Sequence, residues 1–211
     1  YNDNLLPPIM GRNYEIGWKG EWNEGRLNTS VALYRTDKDN NNQRVNAKPH
    51  PYWEPLDQSS RGLDAEISGS LTDRWQVYAG YTFNRSTNRN SVGDNVESRR
   101  KGYNFSSHTP KHMFRLYTSY VLPVDNGKWT VGLGLKSSSK TANSYGSIKQ
   151  GGYTVWNTNV QYRPSKNLQL GLAVNNLTDK HYYENQYSRA ANSGSFYGEP
   201  RNAVFSLKWK M

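Results

Sequence analysis

The sequence predicts an all-β fold, an antiparallel transmembrane β-barrel that crosses a lipid bilayer with strands. Three observations predict it. Apolar and polar residues alternate with period two in run after run. Most runs extend over roughly 10–13 residues, longer than the usual ~5–6 of soluble sheets and close to the ~9–11 a tilted membrane strand needs. Short turns alternate with long connections along the chain, which is the layout of barrels with one short-turn rim and one long-loop rim.

The elements follow in order. Tyr1–Met10 is irregular and Pro-rich and reads as the tail of a loop. In the run Gly11–Trp22, Tyr14, Ile16, Trp18 and Trp22 share one parity, and Asn13, Glu15, Lys19 and Glu21 share the other. Alternate side chains of a strand point to opposite faces, so one face is apolar and the other charged. Next comes 26–37. Leu63, Ala65, Ile67, Gly69 and Leu71 then oppose Asp64, Glu66, Ser68 and Ser70. The runs led by Trp75, Phe114, Trp129 and Leu168 repeat the pattern, and 153–163 and 180–187 are also read as strands. The closing run sets Phe205, Leu207, Trp209 and Met211 against Ser206, Lys208 and Lys210. The total is about ten strands.

Short turns are expected at 23–25, 71–73, 124–127 and 164–167, and long loops at about 39–61, 85–109, 139–151 and 188–200. Trp22, Trp75, Trp129, Tyr162 and Trp209 all sit beside a short turn or the C-terminus, which places them at one depth as an interfacial girdle. A soluble β-sandwich also alternates, but it accounts for neither the loop asymmetry nor the girdle.

Composition agrees. Only 34% of the 211 residues are hydrophobic, yet there are 16 Tyr, 7 Trp and 5 Phe. Disordered chains are poor in aromatics, so strands with one wet face are the better reading. No stretch approaches the ~20 consecutive apolar residues of a membrane helix. The absence of cysteine removes disulfides and thiolate zinc sites. A net charge of +10 points to anionic neighbours without choosing among them.

Six segments, in order, carry a family resemblance. They are Asn13–Glu21 (NYEIGWKGE), Arg61–Glu66 (RGLDAE), Trp75–Thr82 (WQVYAGYT), Thr109–His112 (TPKH), Asn175–Tyr183 (NNLTDKHYY) and Tyr197–Arg201 (YGEPR). Together they resemble the C-terminal barrel signature of TonB-dependent ferric-siderophore receptors, closest to those for hydroxamate-type siderophores such as coprogen, pyoverdine or alcaligin. Thr178 stands where the family usually has an aromatic, and Met211 where it usually ends in Phe. The resemblance implies a barrel of about 22 strands around an N-terminal plug. Residues 1–211 would be its C-terminal part, with the plug and first strands outside the chain.

The same resemblance implies an outer-membrane receptor of a Gram-negative bacterium that binds a ferric siderophore and imports it when TonB pulls on the plug. The iron would be held by the siderophore, so no protein metal ligand and no covalently bound cofactor is expected. Partners would be the siderophore, the plug and remaining strands, TonB through the part outside this chain, and lipopolysaccharide and outer-membrane lipid. Aromatic and cationic loop residues suit such a ligand. The candidates are Tyr52 and Trp53 in the first long loop, Arg99, Arg100, Lys101 and Tyr103 in the second, and Tyr145 and Tyr187 beyond.

Two competing readings are weaker. A small self-contained barrel would be a pore or an enzyme, and a protease or lipase would need an acid–base constellation at its mouth. His108 and His112 offer the nearest thing, but residues i and i+4 on a strand stand about 13 Å apart. His112 falls on the lipid-facing parity, and no catalytic residue is assigned. Nucleic-acid binding by the Asn- and Arg-rich stretch 84–101 has no accompanying motif, so no nucleic-acid partner is expected.

Overall fold

A computed structural model describes residues 6–46, 50–93, 96–143, 148–186 and 194–210. Its wall is one antiparallel sheet of nine strands in the order β1-β2-β3-β4-β5-β6-β9-β10-β13. These are β1 (Met10–Trp22), β2 (Leu27–Val45), β3 (Tyr52–Thr72), β4 (Trp75–Asn88), β5 (His112–Val121), β6 (Trp129–Ser138), β9 (Tyr153–Tyr162), β10 (Leu168–Asn175) and β13 (Asn202–Trp209). Two small ribbons complete it: β7 (Thr141–Ala142) with β8 (Lys149–Gln150), and β11 (Tyr183–Gln186) with β12 (Ser195–Tyr197). Sequence neighbours pair throughout the wall, and β1 and β13 form its two edges.

The register carries the predicted parity across the whole wall. Ile16 stands opposite Leu33, Leu33 opposite Leu63, and Leu63 opposite Phe83. Farther along, Leu116 faces Leu135, Leu135 faces Trp156, and Leu172 faces both Val160 and Phe205. Directly opposed residues project from the same face, so these rows make one continuous apolar surface. Its members are exposed or half-buried, Ile16 being 74% and Phe205 68% exposed, as a surface made for lipid must be. The opposite face carries Glu15, Lys19, Asp64, Glu66, Arg115 and Lys136.

Turn chemistry sets the short rim. Asn23, Glu24 and Gly25 have φ of 55°, 58° and 80°, and Asp125, Asn126 and Gly127 have 47°, 54° and 76°. Asn, Asp and Gly tolerate this left-handed region best. The aromatic girdle lies on this rim: Trp129 stacks on Tyr162 with ring centroids 4.3 Å apart. The indoles of Trp22 and Trp75 donate to the hydroxyls of Thr29 and Thr118 at 2.9 and 2.7 Å. In lipid, an N–H without such a partner costs heavily.

The structure differs from expectation at two places. The wall has nine strands, because 180–187 does not join it. Tyr182 and Tyr183 favour β-structure, but the positive φ of Asn176 (49°) and Asp179 (51°) breaks the path out of β10, and Tyr183–Gln186 pairs with Ser195–Tyr197 instead. The expected loop 39–61 is mostly strand: β2 runs to Val45 and β3 begins at Tyr52, with an irregularity between Lys38 and Asn41. Above the membrane a ribbon is wet on both faces and needs no apolar alternation, so its polar sequence gave no strand signal.

Little of the interior is apolar. Val45, Leu56 and Val92 form a small buried cluster. Among the described residues the largest fully buried side chains are asparagines: Asn88 and Asn176 lie where a loop leaves the wall, and Asn143 follows the short strand β7.

Candidate functional site

Long-rim elements gather the candidate residues into two inward-facing groups. The first is built on the β2–β3 ribbon. Tyr52, Glu54 and Leu56 share the parity of Gln58, which stands opposite Asn88. The β4–β5 connection folds over this face. Val92 packs against Val45 and Leu56, and Glu54 Oε2 accepts the Gly93 N–H at 2.9 Å. Asn88 pins the return of the loop. Its Nδ2 donates to the carbonyls of Ser98 (2.9 Å) and Arg100 (3.3 Å). Its own N–H donates to the Tyr103 carbonyl at 3.0 Å. Arg99 therefore sits half-buried, in a short 3₁₀ turn at Glu97–Arg99. Arg100 and Lys101 are exposed and Tyr103 is half-buried.

Six of the eight predicted residues can thus be placed. Tyr52 and the group Arg99, Arg100, Lys101 and Tyr103 share the inward side of the long rim. Trp53 belongs to the opposite face of β3, opposite Arg44 and 52% exposed, so it points away from them. Tyr52 and Trp53 are strand residues, and neighbours on a strand cannot share a face. Tyr145 and Tyr187 lie outside the described residues.

The second group was not predicted as a site. The β11–β12 ribbon leans over the inward face of β5, β6 and β9 and encloses a cleft of about 190 Å³ lined by Arg115, Lys136, Tyr153, Tyr183, Glu184 and Gln150, among others. Tyr153 stacks on Tyr182 at 4.5 Å, and Tyr183 on Tyr197 at 4.7 Å. Lys136 Nζ lies 2.5 Å from Glu184 Oε1. Gln150 Nε2 donates to the Tyr183 carbonyl at 3.1 Å. Arg115 has no acidic partner among the described residues. Burial pushes the Tyr182 phenol up to about 12, and the nearby Glu184 carboxylate adds to the rise. The Tyr183 phenol is raised by its hydrogen bond with Tyr197.

Two family-like motifs hold this cleft together. Asn176 Nδ2 donates to the carbonyls of Lys180 (2.9 Å) and Glu199 (3.0 Å), and its Oδ1 accepts the Lys180 N–H at 2.7 Å. Asp179 Oδ1 accepts the Arg201 N–H at 3.0 Å. The NNLTDK and GEPR segments are therefore the two halves of one clasp. Gly198 lies against the Tyr182 ring, where a Cβ would come within 2.0 Å of Cζ. Gly62 is similar: Tyr34 covers it, and a Cβ would meet the Phe83 carbonyl at 2.1 Å. The sequence did signal this second group: the Tyr182–Tyr183 pair interrupts the alternation, and Arg115 and Lys136 share the wet parity.

His108 lines the cleft. His112 is on the outward face, where its Nδ1 is 2.8 Å from the Tyr81 hydroxyl and its ring lies 5.0 Å from Phe83. That pairing is interfacial packing between aromatic side chains.

A wall with one lipid-fitted face, one wet face and aromatic groups at its long rim is a segment of an outer-membrane β-barrel. The chain belongs to the TonB-dependent receptor family: the family described as "TonB dependent receptor-like, beta-barrel" matches residues 1–177. Its relatives include the ferric-pyoverdine receptor PbuA of a Pseudomonas species, 34% identical over 216 residues, which cover 97% of this chain and 25% of that protein. Among solved structures it is similar to the pyoverdine outer membrane receptor FpvA from Pseudomonas aeruginosa bound to pyoverdine, with a TM-score of 0.79 and 32% identity over 99% of this chain and 31% of that one. It is also similar to the ferric-catecholate import receptor Fiu from Escherichia coli, with a TM-score of 0.79 and 27% identity over 97% of this chain and 28% of that one. The chain thus spans about a quarter of the length of the curated relatives it matches. Members of the family are outer-membrane receptors and transporters of Gram-negative bacteria.

Proposed function

We propose that the protein to which this chain contributes binds a ferric siderophore at its outer mouth and imports it with energy derived from TonB. The observation that carries this reading is the cleft of stacked tyrosines beside Arg115 and Lys136. Aromatic faces take up flat conjugated groups, and guanidinium and ammonium groups pair with anionic ones. The Arg99–Tyr103 loop and Tyr52 supply a second inward patch of the same chemistry. The iron remains in its chelator and meets no protein ligand.

The chain acts as the C-terminal wall of a larger barrel. Its sheet ends at β1 and β13, and unpaired strand edges are prohibitive in a bilayer. Further strands close the wall, a plug fills it, and TonB engages the part beyond this chain. Transport is favoured over a self-contained enzyme or pore on the same ground, since such a barrel must close on itself. Phosphorylated outer-leaflet lipid surrounds the outer face.

The test uses the full-length receptor in detergent. Binding of ferric pyoverdine and of a ferric catecholate is measured by tryptophan fluorescence quenching for the wild type and for Arg115→Ala, Tyr182→Ala and Tyr183→Ala. We expect submicromolar affinity for one ligand class and a loss of at least about tenfold in the variants, roughly 1.4 kcal/mol. Unchanged affinity in all three variants would refute the assignment of the cleft.

A further inference from the structure

The wet face of the wall is electrically polarised. Its acids include Glu15 and Glu21 on β1 and Asp64 and Glu66 on β3, whereas β4, β5, β6, β9, β10 and β13 contain no Asp or Glu at all. Positive charge gathers at the short-turn rim of that acid-free half. Arg163 and Lys166 lie on the turn between β9 and β10, and Lys208 and Lys210 share the wet parity at the end of β13. The two segments are tied together: the Lys210 N–H donates to the Asn167 carbonyl at 2.9 Å, and Lys208 stands directly opposite Gln169. The four cations line one cleft of about 180 Å³ with Ser165 and Gln169.

All four cations are exposed, and none has an ion pair among the described residues. The acid of the neighbouring β5–β6 turn, Asp125, is already held by Lys128 at 3.2 Å. Like charges around one cleft repel one another, and an anionic partner relieves that repulsion. The partner is met in water. Tyr162 and Trp209 mark the headgroup level at this rim, and Arg163 and Lys210 follow them by one residue. Their parity turns them from lipid, which meets Tyr162, Leu168 and Trp209 instead. Short turns of outer-membrane barrels face the periplasm, so the anion is a periplasmic one.

We propose that this patch is a docking site for peptidoglycan, whose stem peptides repeat free carboxylates along the cell wall. One exposed ion pair contributes little, about twofold in affinity. A polymer that repeats its carboxylates engages all four cations at once and gains by avidity. The Arg163 guanidinium and the three ammonium groups pair with carboxylates. Ser165 and Gln169 offer hydroxyl and amide groups to the adjoining peptide and sugar. The inference goes beyond the import reading, involves no residue assigned to the ligand cleft or to the Arg99–Tyr103 patch, and gives the barrel a tether on its periplasmic side.

The test uses the full-length receptor in detergent, co-sedimented with purified peptidoglycan sacculi that have been treated with protease to remove bound proteins. The wild type is expected to sediment with the sacculi at low salt and to be released as salt screens the charges. The variant Arg163→Gln/Lys166→Gln/Lys208→Gln/Lys210→Gln is expected to lose roughly 15-fold in affinity, with ferric-siderophore affinity unchanged. Should it not assemble as a heat-modifiable barrel, Arg163→Gln/Lys166→Gln and Lys208→Gln/Lys210→Gln are each expected to lose about fourfold. Sacculi whose carboxylates have been amidated are expected to bind neither wild type nor variant. Unaltered sedimentation in the variants, or with amidated sacculi, overturns the site. Binding only to sacculi not treated with protease would assign the patch to an acidic protein, and displacement from sacculi by phosphatidylglycerol micelles would assign it to lipid; either overturns the choice of peptidoglycan.

Discussion

Replacing Asn176 with Ala should open the ligand cleft without touching any residue that lines it. Asn176 is 2% exposed. Its side chain makes three hydrogen bonds, to the Lys180 carbonyl, the Glu199 carbonyl and the Lys180 N–H. Each is worth about 1 kcal/mol net, and leaving its partner buried and unpaired costs more. The φ of 49° adds a further penalty for Ala of about 1 kcal/mol. The sum is about 4 kcal/mol, or roughly a thousandfold in the local opening constant. Hydrogen exchange on the full-length receptor in detergent reads this directly. The amides of Lys180, Gly198 and Arg201 should exchange roughly a thousandfold faster, while Leu172 and Phe205 in the wall keep their protection. Asn176→Gly removes only the φ penalty and should recover about fivefold. If Asn176→Ala left exchange at Lys180 and Arg201 within about threefold of wild type, the clasp would not be what holds the cleft.

Other outcomes follow from the same region. Gly198→Ala places a methyl within 2.0 Å of Tyr182 Cζ. The ring must leave Tyr153, at a cost of about 1–3 kcal/mol, and ferric-siderophore affinity should fall with an otherwise normal heat-modifiable barrel on gel electrophoresis. The Tyr182 phenol, pushed up to about 12, should appear as a late phenolate absorbance that is missing in Tyr182→Phe. A group with a raised folded pKa stabilises fully below its unfolded value and loses that contribution as pH rises through the folded one. The cleft should therefore hold up to about pH 10 and loosen toward 12. Equal alkaline titration curves for the two proteins would contradict this.

How much of this was legible without coordinates varies from element to element. The outward rows of the wall were readable residue by residue, because one face meets lipid and the other water, and a slip of one residue would exchange them. The girdle and the left-handed turns at Asn23–Gly25 and Asp125–Gly127 were readable for similar local reasons. The polar ribbon 39–61 was not, since the solvated ribbon carries no apolar period. Tyr52 and Trp53 were named together as candidates in one loop, and strand geometry sends them to opposite faces. Arg99, Arg100, Lys101 and Tyr103 were named for their chemistry, but it is Asn88 that brings them inward.

The sequence by itself determined the fold class, the membrane-facing side of most wall strands and the family, because period and turn chemistry are local and repeat along the chain. Only the tertiary structure decided which distant residues meet. Tyr153 finds Tyr182, Lys136 finds Glu184, Asn176 clasps Glu199, and Arg163 and Lys166 share a cleft with Lys208 and Lys210. Those encounters depend on strand register and loop closure across separations of tens of residues, and no local pattern encodes them.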